Sequence, residues 1–268
     1  MSRNFELLKR VEEERLAHPL AAAAAVNTIE PPRPLRPVPT DTRRAAQLCP
    51  KDATRPGVSG SAEPEIVKLV QNLFLLNSIA PPRVVLFSPV VRSQEPDFVA
   101  ARVAEVLSDQ HVGQVCVIDA DVQRPSLHAY FNVNNMAGLT TMLGSSQDPL
   151  HASAHGVAGC NLTVVTAGPA TRNWMNLLAS ESGTERLREL RSQFDFVLVC
   201  APPLHEAPGI ASLGQRVDGT VLIVEAHDVK RDVALRAKQE WERANTRLLG
   251  AVLNNRTFPI PPALYARL

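Results

Sequence analysis

Asp119 and Asp121 are the side chains whose type and spacing best suit chemistry, because they follow directly on a short apolar run. Arg124 and Pro125 come next along the chain. Two carboxylates at the end of a strand can hold a hydrated Mg²⁺ or orient an attacking hydroxyl group, and an arginine beside them can reach a phosphate. The alternative is structural: Asp119 caps the following turn and Arg124 forms a surface salt bridge with Asp121. Spacing alone leaves both alternatives open.

Short apolar segments alternate with amphipathic segments of helical length over the second part of the chain. Strands are predicted at 83–88, 114–119, 161–168, 194–200, 218–226 and 248–254, and helices at 65–76, 97–110, 184–193 and 231–245. This alternation predicts an α/β fold with a mainly parallel sheet and helices on both faces. Ligands of such sheets bind beyond the carboxyl ends of the strands. The loops at 88–97, 119–128 and 200–203 are therefore the expected site.

The first 62 residues differ in composition from the rest. A short amphipathic helix is predicted at 1–17, and a proline-rich stretch follows from Pro31 to Pro64. Prolines at that density remove amide donors and fix φ, so we expect a flexible linker there. The predicted organisation is a helix and linker over 1–62 and an α/β domain over 63–268.

Composition excludes several classes of protein. The 268 residues carry a formal net charge of +1 and are 45% apolar, which argues against bulk electrostatic binding of nucleic acid and against disorder throughout. No apolar run reaches the roughly 18–20 residues of a membrane span. The four cysteines show no metal spacing, so neither a disulfide framework nor a zinc site is expected. A cytoplasmic protein is predicted, held at the inner membrane, if at all, through a partner.

Four motifs resemble one family. The segment VCVIDADVQRPSLHAYFNV (115–133) with GLTTML (138–143), the strand FDFVLVCAPP (194–203), DGTVLIVEA (218–226) and LLGAVLNNRTFPIP (248–261) occur in the family's order. Together they resemble the bacterial tyrosine kinases of the capsular and exopolysaccharide type, which are P-loop proteins related to the MinD/ParA ATPases. The resemblance covers about 63–268.

The resemblance implies a set of roles and ligands. Asp119 and Asp121 would be catalytic and would hold Mg²⁺, and Arg92, Arg124 and Asn254 would contact ATP, with Asn254 beside the base. The implied partners are the cytoplasmic part of a membrane-anchored chain-length regulator, an active kinase paralogue, or further copies of this chain.

The phosphate-binding loop departs from the family pattern. The family has roughly G-x-G-K-[ST], whereas this chain has SPVVRSQEPDFVA (88–100), without glycine or lysine. Glu95 and Asp97 would place carboxylates at the start of the next helix, where the dipole otherwise attracts phosphate. Losing the lysine costs roughly 1.5–3 kcal/mol, and a nearby carboxylate adds about 1 kcal/mol of repulsion. Nucleotide affinity should fall about 100-fold or more, and Arg92 is a poor substitute for the lysine.

Other departures agree. Cys200 stands where the family has an aspartate, and Tyr130 and Tyr265 are the sole tyrosines, whereas the family phosphorylates a tyrosine-rich tail. The family's oligomerisation motif E-x-x-R-x-x-R is replaced by Glu65, Lys68 and Gln71, while the same string at Glu185, Arg188 and Arg191 is expected on a solvated helix face.

These features predict a catalytically degraded, kinase-like protein that acts as a binding or regulatory partner in exopolysaccharide biosynthesis or export. A weakly active tyrosine autokinase or ATPase is the alternative. A MinD/ParA-like positioning protein is a third candidate. It is disfavoured because the segment 248–261 resembles the closing segment of the kinase family.

Overall fold

The computed structural model describes residues 63–76, 81–93, 98–110, 113–144 and 152–256. The predicted helix at 1–17, the linker, the capping residues Glu95 and Asp97, and Tyr265 lie outside the described residues. The boundary between 62 and 63 stays a prediction.

Seven strands and eight α-helices make up the described part of the chain. The strands are β1 (Val84–Pro89), β2 (Val115–Asp119), β3 (Ala154–Gly156), β4 (Leu162–Val165), β5 (Phe196–Cys200), β6 (Gly219–Glu225) and β7 (Leu248–Asn254). The helices are α1 (Glu63–Val70, continued by a π-helical turn, Gln71–Leu75), α2 (Val99–Asp109), α3 (Leu127–Tyr130), α4 (Leu139–Gly144), α5 (Trp174–Ala179), α6 (Glu181–Gln193), α7 (Ile210–Gly214) and α8 (Arg231–Arg243).

The strands form one sheet in the order β3-β4-β2-β5-β1-β6-β7. All neighbours are parallel except β3 and β4, which are antiparallel. The strands in the middle of the sheet are buried on both faces, as their continuous apolar sequences require. The predicted α/β fold with a mainly parallel sheet is confirmed.

Alternate residues of each strand supply two core layers. In β1, Val84 and Leu86 pack into the layer on one face, and Val85 and Phe87 pack into the layer on the other. The first layer also holds Trp174 and Trp241, which are 3% and 1% exposed. Both tryptophans are core packing residues.

The elements that local sequence missed are short. Strand β3 has three residues, and α3, α4, α5 and α7 have four to six each. Helix α6 begins at Glu181, earlier than predicted, because the side chain of Ser180 caps it by accepting a hydrogen bond from the amide of Gly183. Segments this short show too few turns for their periodicity to be read.

A cluster of polar contacts ties the amino ends of β1, β5 and β6 together. Asp218 accepts hydrogen bonds from the amides of Arg83 and Val84, both at 2.8 Å, and from Arg191 at 2.7 Å. The Arg83 guanidinium donates to the carbonyl of Phe194 at 2.8 Å. Burial alone would raise the pKa of Asp218, but these hydrogen bonds and the charge of Arg191 lower it overall.

Arg191 corrects one expectation. Its helix face was predicted to be solvated, which holds for Arg188 and Glu185, an exposed pair at 2.9 Å. Arg191 instead reaches β6, because the last turn of α6 lies over the amino ends of the strands.

The cysteines differ in state. Cys116 and Cys200 form no disulfide, whereas Cys160 is disulfide-bonded. A disulfide framework was not expected, and the disulfide of Cys160 could not be predicted because spacing along the chain does not reveal which thiols meet in space. Within the described segments, no helix combines the length and apolar character needed to cross a membrane.

Candidate functional site

A pocket opens at the carboxyl ends of β1, β2, β5 and β6, where the strand pattern placed it. Its polar and charged lining comes from Arg92, Ser93, Asp119, Asp121, Arg124, Ser126 and Glu225. Its apolar lining includes Phe87, Pro89, Phe98, Ala201 and Ile223, with Cys200 beside them. The parallel sheet therefore brings four of the five predicted site residues, Arg92, Asp119, Asp121 and Arg124, to one cavity.

Asp119 is buried and tied to the backbone. Its side chain ends β2, and the residue is 1% exposed. One carboxylate oxygen accepts from the amide of Asp121 at 3.1 Å, and the other accepts from the amides of Ser126 and Leu127 at 2.8 and 3.0 Å. Asp119 thus caps the turn that leads into α3, which is the structural alternative raised by the sequence. Desolvation raises the pKa of Asp119 to about 6, although the three amides oppose that rise.

Asp121 is paired with Arg92 rather than with Arg124. Arg92 Nη1 donates to Asp121 Oδ2 at 2.5 Å, and Arg92 Nε donates to Glu206 Oε2 at 2.6 Å. The ion pair between Arg124 and Asp121, which the sequence left open as an alternative, does not form. The guanidinium of Arg92 binds that carboxylate, and Arg124 contributes only its backbone amide, at 3.1 Å. The exposed Arg124 side chain has no ion pair among the described residues.

The third nitrogen of the Arg92 guanidinium differs from the other two in its contacts with the described part of the chain. Arg92 Nη2 is buried and makes no hydrogen bond to any described residue. The side chains of Arg92 and Asp121 are each 16% exposed and that of Glu206 is 30% exposed, so the three groups interact in a partly desolvated environment.

Asn254 contacts a residue that lines the pocket but does not line it itself. Its Nδ2 donates to Glu225 Oε1 at 2.9 Å, and the neighbouring Asn255 donates to Glu225 Oε2 at 3.0 Å. Glu225 is 7% exposed and does line the pocket. Asn254 is therefore in contact with the site through Glu225, but it is not itself among the residues that line it.

Sequence reasoning missed Glu206 and Glu225. Neither was among the residues predicted for the site, and Glu225 lies within the strand predicted at 218–226. A usable signal existed for both, since each lies at or just beyond the carboxyl end of a predicted strand.

The charges of the pocket suit a polyphosphate poorly. Among the described lining residues there are two arginines and three carboxylates, and Glu206 adds a fourth carboxylate against Arg92. Within the described segments, no cluster of three or more His, Cys, Asp or Glu side chains could hold a metal ion. Mg²⁺ usually takes one or two carboxylates and completes its shell with water and substrate phosphates. Here the carboxylates of Asp119 and Asp121 are already bound by amides and by Arg92, so the side chains present do not fit Mg²⁺ and ATP well.

The mainly parallel sheet, with helices and with a pocket at its carboxyl edge, is a fold like that of the P-loop NTPases of the ParA/MinD type. The ParA-family ATPase of Chlorobium tepidum superposes with a TM-score of 0.50 at 14% identity, over 65% of this chain and 86% of that one. The kinase domain of the Escherichia coli tyrosine kinase ETK superposes with a TM-score of 0.67 at 22% identity, over 75% of this chain and 80% of that one. At these identities, the likeness establishes the fold.

The sequence relatives are bacterial tyrosine-protein kinases. The chain is 31% identical to the tyrosine-protein kinase YwqD of Bacillus subtilis over 59% of this chain and 65% of that protein. It is 30% identical to the tyrosine-protein kinase CpsD of Streptococcus pneumoniae over 52% of this chain and 61% of that protein. The alignments thus span somewhat less than two thirds of these relatives. No protein-family model matches the chain. The resemblance to the bacterial tyrosine kinases, predicted from four motifs, is confirmed.

The raised pKa of Asp119 predicts a pH dependence. Between about pH 4 and pH 6 the folded state binds more protons at this site than the unfolded state, whose carboxyl titrates at its ordinary value. The stability that Asp119 contributes is therefore present below about pH 4 and is lost as the pH rises through about 6. Urea unfolding at several pH values measures the free energy of unfolding of the wild type minus that of Asp119→Asn. We expect this difference to fall as the pH rises. A difference that rises with pH would contradict the desolvated carboxylate.

Proposed function

We propose that this chain is a catalytically degraded, kinase-like protein that works by binding a partner in exopolysaccharide biosynthesis or export. The observation that carries the proposal is the pairing of Arg92 with both Asp121 and Glu206. Arg92 is the cation that the first strand-end loop offers in the described part of the pocket, and two carboxylates neutralise it. A nucleotide would have to displace them before Arg92 could bind phosphate.

Two features of the sequence support the same conclusion. The loop after β1 contains neither the glycines that bring backbone amides close to phosphates nor the lysine that neutralises them. At the end of β5, Cys200 and Ala201 line the pocket where the related kinases offer an aspartate. A thiol and a methyl group are not oxygen ligands of the kind that Mg²⁺ prefers.

Nucleotide titration tests the proposal. In isothermal titration calorimetry with ATP, in the presence and absence of Mg²⁺, we expect no saturable binding at concentrations up to about 1 mM, which corresponds to a binding free energy weaker than about 4 kcal/mol. An active relative such as CpsD, measured in the same buffer, provides the positive control. Micromolar binding that requires Mg²⁺ would overturn the proposal.

A weakly active tyrosine autokinase or ATPase is the second candidate function. Two observations favour it. Among the described residues, the exposed guanidinium of Arg124 has no ion pair and Arg92 Nη2 has no hydrogen-bond acceptor. The ParA/MinD-like fold is also compatible with ATP and Mg²⁺ as ligands. Incubation with labelled ATP and detection of phosphotyrosine would reveal it, with Asp119→Ala and Asp121→Asn as controls. Label that both substitutions abolish would favour the enzyme, whereas unlabelled protein favours the binding role.

The partner is proposed from the resemblance. It is either the cytoplasmic segment of a membrane-anchored chain-length regulator or an active kinase paralogue, and self-association is the further possibility. Co-expression with each of the two, followed by size-exclusion chromatography, should give a stable complex with one of them. Elution of this chain alone as a monomer in every combination would refute all three.

In helix α1, Glu65 is paired with Lys68 at 2.9 Å. This contact lies within the helix, so it supplies no argument for self-association.

A further inference from the structure

We infer that Arg92 is a built-in cation that holds the loops after β1, β2 and β5 together without nucleotide or metal. Each loop contributes one of the three charged side chains: Arg92 follows β1, Asp121 follows β2 and Glu206 follows β5. The link itself does not depend on the proposed function. Its consequence does rest on that function: a partner could bind the surface formed by these loops at any nucleotide concentration.

The geometry of the guanidinium carries the inference. Nη1 and Nε lie on different sides of the planar group, and each donates to a different carboxylate, at 2.5 and 2.6 Å. A guanidinium presents its donors in a fixed fork, so one side chain can link two carboxylates at defined positions. Asp121 and Glu206 lie 29 and 114 residues further along the chain than Arg92, so both are tertiary contacts between separate strand ends.

Burial makes these two contacts contribute more to stability than the contact of an ordinary surface pair. The Arg92 and Asp121 side chains are 16% exposed, whereas those of the Arg188–Glu185 pair on α6 are 67% and 70% exposed. Exposed pairs contribute little, because water screens them and ordering long side chains costs entropy. Partly desolvated, charge-assisted hydrogen bonds are shorter and stronger.

Removing Arg92 should leave Asp121 and Glu206 as unpaired carboxylates near the buried carboxylate of Asp119. Like charges in one small site repel one another, and a divalent cation relieves that repulsion. Mg²⁺ should therefore leave the stability of the wild type unchanged, and it should stabilise a variant without Arg92.

A double-mutant cycle measured by thermal unfolding tests the link. We expect Arg92→Met to lower Tm by several degrees, and Glu206→Gln to lower Tm in the wild type but hardly at all in the Arg92→Met background. Asp121→Asn should behave in the same way. The exposed pair gives the matched control, since Arg188→Met should leave Tm unchanged. Additive effects of Arg92→Met with both partner substitutions would overturn the inference.

Titration with MgCl₂ provides the second readout. We expect a saturable rise of Tm for Arg92→Met, by mass action on the folded state, and no rise for the wild type or for Arg188→Met. A rise of equal size in the wild type would mean that Arg92 does not take the place of the metal, and would overturn the inference. If Arg92→Met does not fold, the conservative Arg92→Lys replaces it, with the same cycle and a smaller coupling expected.

The failure of this inference and that of the proposed function are distinguishable. ATP binding in calorimetry together with a coupled cycle would refute the inactive role and leave the link intact. An additive cycle with no ATP binding would refute the link through Arg92 and leave the proposed inactive role intact.

Discussion

Replacing Trp241 by alanine lowers the free energy of unfolding by about 3–5 kcal/mol, the range seen when a large buried aromatic is removed from a core. Trp241 is 1% exposed and belongs to the core layer shared with Leu213 and Leu222. Its ring lies against α7, so closely that a Cβ added at Gly214 would fall 2.6 Å from it. Alanine would leave a cavity between α8, α7 and the sheet. For a domain of this size, Tm should fall by roughly 10 °C or more.

The control for Trp241→Ala lies on the same helix. Leu235 in α8 is 46% exposed, so Leu235→Ala removes apolar surface that water already contacts and should change stability by less than about 0.5 kcal/mol. Differential scanning calorimetry of the two variants and the wild type makes the comparison. Equal losses for both would show that α8 is held by helix propensity and not by the buried ring.

Replacing Gly138 by alanine is the second large effect, with an expected loss of about 2–3 kcal/mol. A Cβ there would lie 2.1 Å from the carbonyl oxygen of Thr166 and 2.5 Å from the amide nitrogen of Gly168. Both contacts are backbone atoms just beyond β4, so no flexible side chain can move away. The clash would also separate Leu139 from Thr166, whose carbonyl accepts the Leu139 amide at 2.7 Å.

Gly144 gives the matched control for Gly138→Ala. Gly138 directly precedes helix α4 and Gly144 ends it, and an added Cβ at Gly144 meets nothing within 4 Å. Gly144→Ala should therefore be neutral, or should raise stability by up to about 1 kcal/mol through the unfolded state. Urea unfolding of both variants decides the matter. A Gly138→Ala variant as stable as Gly144→Ala would show that the loop beyond β4 yields easily.

Much of the fold could be predicted because the physics that forms it is local. The runs at 83–88, 114–119 and 194–200 are short, apolar and rich in β-branched residues, and each became a buried parallel strand. The helix at 231–245 was visible from its amphipathic period and ends within two residues of the prediction. Local sequence did not show the antiparallel strand β3, since its three residues depend on pairing with β4.

The site could be predicted in its position but not in its pairing. Strand ends placed Asp119, Asp121, Arg92 and Arg124 together, because parallel strands deliver their carboxyl ends to one edge. Loop conformation decides which carboxylate pairs with which arginine. The contact of Arg92 with Glu206, for example, joins residues 114 positions apart. No spacing rule reaches over that distance. Whether Asp119 caps a turn or holds a metal was likewise undecided until its three amide contacts were seen.

The contacts of Asp218 with Arg83, Val84 and Arg191 lie at the pole of the sheet opposite to the pocket. Strand β1 has six residues, so the two poles are separated by about 20 Å. Substitutions that far apart contribute to stability independently. The anchoring of the framework and the side chains of the pocket are therefore separately adjustable, so substitutions in the pocket can accumulate while the scaffold stays intact.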